Sequence, residues 1–230
     1  MNRRIATRRS GAKARTSRRR PPARGPSARK THRRSSEIID AAAQVFADLG
    51  YHGATTQKIA DVLRIRQASL YYYFPSKEAA LELVCAQGVA GYFETAEAIA
   101  GGPGTAAERL AALVRAHISP VVDRGNFVRV FLTQRQFLPK VSRRCVGRWS
   151  RGIEQMFEGV VRQGIKTRDF RADIDPRLAT LAILGMSNAV MAWYAKENTS
   201  IERIGQNFIR LALNGLKAGP VPRRKGSERI

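Results

Sequence analysis

The chain has 230 residues, 43% of them hydrophobic, and a formal charge of +23, so it is long enough for one large or two small units with a real core. No window approaches 18 uninterrupted apolar residues, which argues against a membrane-spanning helix, and the N-terminus lacks the apolar stretch of a secretory signal. The two cysteines, Cys85 and Cys145, stand apart from each other and from any His cluster, which speaks against a disulfide scaffold or metal site and makes a reducing cytoplasm the expected home.

Residues 1–34 hold fourteen Lys and Arg and no Asp or Glu, the composition of a disordered basic arm that attracts a polyanion. An Arg- and Ser-rich start of this kind also describes an organellar transit peptide. Residues 217–230 form a second, shorter basic tail. From Ser35 the texture becomes helical. Ile38, Ala42, Val45, Phe46 and Leu49 fall on one stripe, with Ser35 or Ser36 as cap and Gly50 as terminator. A short loop follows, in which Thr55 or Thr56 caps a second helix, QKIADVL. The tight turn RIR leads to a third helix, QASLYYYF, which Pro75 stops. Ser76 caps a long fourth helix expected from Lys77 to Ala98. Three short helices in about 40 residues form a helix-turn-helix layout.

Beyond the Gly-Gly-Pro-Gly break at 101–104 the pattern stays helical to residue 216, with Pro176 at the first turn of one helix and Ser200 capping the last. No period-two alternation appears. The predicted fold is all-α: a helix-turn-helix unit over 35–80 and a larger helical unit over 81–216.

On a helical wheel of residues 66–74, Leu70 and Phe74 point one way and Ala68 and Tyr72 the other, with Ser69 and Tyr71 on the flanks. Tyr73 sits at the core edge and Gln67 in the first turn. Three adjacent phenols suit neither a core, where each hydroxyl needs a partner, nor a plain surface. They suit a DNA groove: Gln bonds an adenine edge, Ala admits a thymine methyl, and hydroxyls take phosphate oxygens.

The run TTQKIADVLRIRQASLYYYFPSKEAAL, within residues 36–82, resembles the DNA-binding segment of the TetR family of bacterial transcriptional regulators. The resemblance implies that Thr55 and Thr56 open a helix facing phosphate, and that Gln67, Ala68 and Ser69 read bases. By the same resemblance Tyr71, Tyr72 and Tyr73 meet phosphate and sugar, and Lys77 clamps a phosphate. Two positions depart from the family pattern. Arg64 replaces the glycine of the turn, and Arg66 replaces the hydroxyl cap of the third helix. Each change costs about 1 kcal/mol and adds positive charge beside the groove.

A single reader covers few base pairs, so a dimer is expected. Ala182, Gly185, Ala189 and Ala192 make a small-residue stripe, and Ile204, Phe208, Leu211 and Gly215 an apolar one. The resemblance implies that these last two helices form the homodimer interface. It also implies a pocket for a small apolar or amphipathic effector, whose candidate walls are Phe93, Phe127, Phe131, Trp149, Ile153, Met156, Phe157 and Met186. The stretches GVVRQGIKTRDFRADID and WYAKENTSIERIGQNFIRLALNGL look like the branch that controls fatty-acid or sterol breakdown, which implies an acyl-CoA effector. Arg129, Arg135, Arg143, Arg144, Arg148 and Arg151 are candidates for its phosphates.

The reading that follows is a homodimeric repressor that binds double-stranded operator DNA and is released by a small molecule, with no resident cofactor and no membrane partner. A sequence-independent architectural nucleic-acid binder is the alternative. His32, His52 and His117 have no spacing to either cysteine that makes a triad, and GGPG lacks the Lys of a phosphate loop, so no enzyme is expected.

Overall fold

The computed structural model describes residues 26–217; the basic segments 1–25 and 218–230 lie outside it. Helix α1 spans Pro26–Gly53, so the segment from Pro26 to Arg34 is helical where an arm was expected. Ile38, Ala42, Val45 and Phe46 are buried as their spacing requires. Leu49 is 46% exposed, against expectation. Gly50 (φ 66°, ψ 174°) kinks the helix just after it, and buried Ala54 takes the core position beyond the bend.

Helix α2, Thr56–Leu63, starts where Thr55 Oγ1 accepts from the Lys58 N–H at 3.1 Å. It ends at Arg64, which adopts the left-handed conformation (φ 53°, ψ 45°) that glycine fills without steric cost. The expected third α-helix is instead a 3-10 segment, Gln67–Tyr72. Arg66 supplies no capping side chain, and Pro75 ends the ladder after a single α-type bond, Phe74 N–H to Leu70 O at 3.0 Å.

Helix α3, Lys77–Val89, is capped by Ser76. The single fourth helix expected to Ala98 is broken at Gly91 (φ 78°), and α4, Tyr92–Ala100, follows in a new direction. Helix α5, Ala106–Ile118, opens on a capping box between Thr105 and Glu108. Then come α6, Pro120–Asp123, α7, Gly125–Gln134, and a 3-10 turn at Arg135–Phe137. Helix α8, Lys140–Lys166, is followed by α9, Pro176–Trp193, and α10, Ile201–Leu216. Among the described residues the one β feature is an isolated bridge between Phe170 and Lys217.

The packing crosses position 80. One core joins α1, α2, the 3-10 segment and α3 to Phe127 and Val130 of α7 and to Leu138 and Val146. A second core is built from α4, α5, α8, α9 and α10, and a third joins Ile118, Val121, Val190, Ile201 and Ile204. Helix α7 is therefore half a member of the N-terminal unit. Helices α3 and α7 approach so closely that a Cβ at Gly88 would lie 3.2 Å from the Phe127 carbonyl oxygen.

Helix α9 with its following turn is long and apolar enough, by composition, to cross a membrane. Its apolarity serves two faces. Ile183, Leu184 and Val190 point into the cores, while Leu178, Leu181, Ala182, Gly185, Ala189 and Ala192 stay exposed.

Candidate DNA-reading face and effector cavity

Leu70 and Phe74 are buried and pin the 3-10 segment to the N-terminal core. Gln67 keeps part of its surface open, Ala68, Ser69 and Tyr71 face outward, and Tyr72 is 83% exposed. Tyr73 is half-buried and packs edge-on against the Tyr72 ring. Exposed Arg64 and Arg66 flank this surface. The Gln67 side chain turns back onto α2. Its Nε2 donates to Thr56 Oγ1 at 2.6 Å, tying the 3-10 segment to the first turn of α2. Lys77 is also engaged, its ammonium donating to the Tyr51 carbonyl at 3.0 Å and lying 4.2 Å over the Tyr51 ring.

Tyr51 is the hub of this end of the molecule. Its hydroxyl donates to Glu78 Oε1, and its ring stacks on Phe137 at 5.0 Å. The bond holds the Glu78 carboxyl below its usual range and raises the Tyr51 phenol.

A cavity of about 290 Å³ lies among α3, α4, α5, α7, α8 and α9. Phe93, Phe131, Trp149 and Ile153 line it as expected. Phe127, Met156, Phe157 and Met186 do not. Val128, Phe131, Leu132 and Arg135 follow helical spacing on the cavity side of α7, which turns Phe127 toward α3 and the N-terminal core. Met156 and Phe157 pack in the second core a turn beyond the wall, and Met186 is rotated about 100° from the lining residue Gly185.

The lining also includes polar residues that do not follow the aromatic and Met spacing. His117 interrupts the apolar run of α5, next to buried Leu113, Val114 and Ile118, and that interruption was its signal. Its Nδ1 lies 2.7 Å from the Tyr92 hydroxyl, and its Nε2 lies 2.9 Å from Asn188 Oδ1. The ring stands edge-on to Phe157. The imidazole is part-buried in the cavity wall, and burial lowers its pKa, partly opposed by the Asn188 bond. Burial likewise raises the Tyr92 phenol. Of the six candidate arginines, Arg135 alone lines the cavity. Its Nη1 donates to Ser150 Oγ at 3.0 Å, and its guanidinium lies 5.1 Å over the Phe131 ring. Arg143, Arg144, Arg148 and Arg151 are exposed on α8.

Of the expected interface stripes, the one on α9 is exposed along its length. The one on α10 is not. Ile204 is buried in the third core and Phe208 packs between two cores, whereas Leu211 is 65% exposed. The outward face of α10 begins one residue round from the stripe read in the sequence.

A sequence profile described as "Bacterial regulatory proteins, tetR family" fits residues 38–84, and one described as "Tetracyclin repressor-like, C-terminal domain" fits residues 103–216. Together they span well over half of the chain. The fatty acid metabolism regulator protein of Bacillus subtilis is 25% identical over 78% of this chain and 94% of its own. The solved structure of the ketosteroid transcriptional regulator KstR2 of Mycobacterium tuberculosis superposes with a TM-score of 0.77 at 24% identity, over 81% of this chain and 96% of that one. AibR, solved in complex with isovaleryl coenzyme A and operator DNA, superposes with a TM-score of 0.70 at 24% identity, over 77% and 97%.

Proposed function

From its membership of the TetR family of bacterial transcriptional regulators, to which this chain belongs, we infer that it is a sequence-specific DNA-binding repressor that acts as a homodimer and leaves its operator when a small molecule enters the cavity. One observation carries the reading: the surface from Gln67 to Tyr72 is outward-facing amide, hydroxyl and phenol, held on the buried pair Leu70 and Phe74. Such a face offers hydrogen bonds to base edges and phosphates, and Arg64 and Arg66 add charge for the backbone.

The unpartnered α9 face, with Leu211 beside it, supports dimerisation, because small residues admit a second helix closely and Leu178, Leu181 and Leu211 would leave water. A dimer also supplies the two readers that a pair of half-sites requires. The cavity supports an effector with an apolar body, and the isovaleryl coenzyme A held by AibR, a protein of the same fold, favours an acyl thioester. An effector releases DNA only if it binds the DNA-incompetent state more tightly.

Fluorescence anisotropy with the protein's own upstream DNA, beside a scrambled duplex at physiological salt, tests the reading. A preference of about a thousandfold or more is the range of specific readers. Equal and steeply salt-dependent binding to both duplexes would transfer the function to the basic arms.

A further inference from the structure

The 3-10 segment carries a single amide side chain, and the donor end of that amide is already engaged. Gln67 opens the segment and is part-buried beside the first turn of α2. Its Nε2 donates to Thr56 Oγ1 at 2.6 Å, and the Tyr71 hydroxyl lies 3.5 Å from the same nitrogen. Among the described residues Oε1 has no protein donor.

An amide that reads adenine with both ends accepts from N6 through its oxygen and donates to N7 through its nitrogen. With Nε2 held on Thr56, only the accepting half remains. Adenine N6 and cytosine N4 both present an amino hydrogen in the major groove, so Oε1 is suited to either. Guanine O6 and thymine O4 would set an unbonded oxygen against it.

Thr56 decides which end of the amide is spent. A hydroxyl has one hydrogen and also accepts. Accepting from Nε2 leaves the Thr56 hydrogen without a protein acceptor among the described residues, and phosphate oxygens take such hydrogens along DNA. In the reverse arrangement Thr56 would give its hydrogen to Oε1 and lose the phosphate. Backbone contact and base reading are coupled through this one bond.

We propose that Gln67 reads its base pair through Oε1 alone, taking adenine or cytosine and rejecting guanine and thymine, with Thr56 as the positioning residue that sets the amide. The proposal rests on the DNA-reading function inferred above and deepens it, naming what one position of the operator must present.

The test uses the full-length protein and an operator recovered from a pool of randomised duplexes. Each base pair is replaced in turn, and the pair whose preference disappears in Gln67→Ala is the one that Gln67 reads. There the parent protein should bind adenine and cytosine within about threefold of each other, and guanine or thymine about tenfold more weakly or worse. Two adenine analogues separate the ends of the amide. Purine, which lacks the N6 amino group, should bind as weakly as guanine, whereas 7-deazaadenine, which lacks N7, should bind like adenine. Thr56→Val frees Nε2 at nearly constant shape. That variant should favour adenine over cytosine by about fivefold or more and become sensitive to the loss of N7. Ratios are compared within each variant, so a general loss of phosphate contacts does not disturb them.

In the parent, a clear preference for adenine over cytosine, sensitivity to 7-deazaadenine, or a preference for guanine or thymine would overturn the proposal. An adenine-to-cytosine ratio unchanged by Thr56→Val, or an operator with no Gln67-dependent pair, would overturn it as well. In each case the sequence-specific regulator stands. Recovery of no preferred sequence would overturn both.

Discussion

The backbone N–H of Tyr51 donates to Oε1 of Gln134 at 2.8 Å, joining the end of α1 to the end of α7 across 83 residues of chain. On its other face α7 presents Val128, Phe131 and Leu132 to the cavity, and Arg135 follows them in the next turn. One helix therefore borders both the effector and the joint that holds Lys77 and Glu78 at the reader's edge.

Gln134→Ala should cost about 1 kcal/mol of stability, the net worth of one such bond. It should also weaken effector-induced release while leaving effector affinity nearly unchanged. Anisotropy of labelled operator DNA, titrated with effector at fixed protein, separates the two. Equal loss in effector binding and release would show that Gln134 shapes the cavity and does not couple it.

Arg64→Gly relieves a side chain held in the left-handed region and should stabilise the protein by up to about 1 kcal/mol. DNA affinity should fall and the salt dependence should flatten by about one counterion. A more stable variant with unchanged DNA affinity would remove Arg64 from the interface.

Gln67→Ala and Tyr72→Phe distinguish reading from holding. The first should relax preference at a single base pair by about 1–3 kcal/mol and leave Thr56 free of its 2.6 Å partner. The second removes a phosphate donor and should weaken all sequences alike. Binding to a panel of singly substituted duplexes checks both.

His117 makes stability pH-dependent. Its folded pKa lies below the ordinary 6.5 because burial disfavours the imidazolium, so the unfolded chain takes up the proton first. Its contribution is complete above pH 6.5 and declines as pH falls toward the folded value. The melting temperature should drop between pH 7 and pH 5.5, and His117→Gln should drop less over the same window.

Ala189→Arg places a charge on the exposed small-residue face of α9. If a second copy docks there, the substitution brings like charges together and should raise the dimer dissociation constant by at least about tenfold. Sedimentation at micromolar concentration reads the result, and an unchanged dimer would move the interface elsewhere.

The apolar period made the helices and the reader legible. Ile38, Phe46, Leu70 and Phe74 are buried because their spacing leaves them no other side, whereas Arg64 was identifiable as a strained turn only through the resemblance, which implies glycine there. What the period could not reveal is which neighbour each face meets. Phe127 and Phe131 lie one turn apart on α7 and both pack against the N-terminal core, yet only Phe131 also lines the cavity, because the helix is wedged between the two. Ile204 and Leu211 divide in the same way on α10. The polar wall of the cavity was legible only as an anomaly: a histidine within the apolar run of α5, given meaning by Tyr92 and Asn188 from distant parts of the chain.

The break at Gly91 bears on how force travels. A straight rod from Lys77 to Ala98 would transmit torque, so any push on its cavity end would turn the reader directly. With the rod cut at Gly91, α4 would be free to tilt without turning α3, which the close approach at Gly88 holds against α7. A push on α4 would then reach the reader only by way of α7 and the seam at Tyr51. Stiffening the joint with Gly91→Ala, strained at φ 78°, would alter the path as well as the stability.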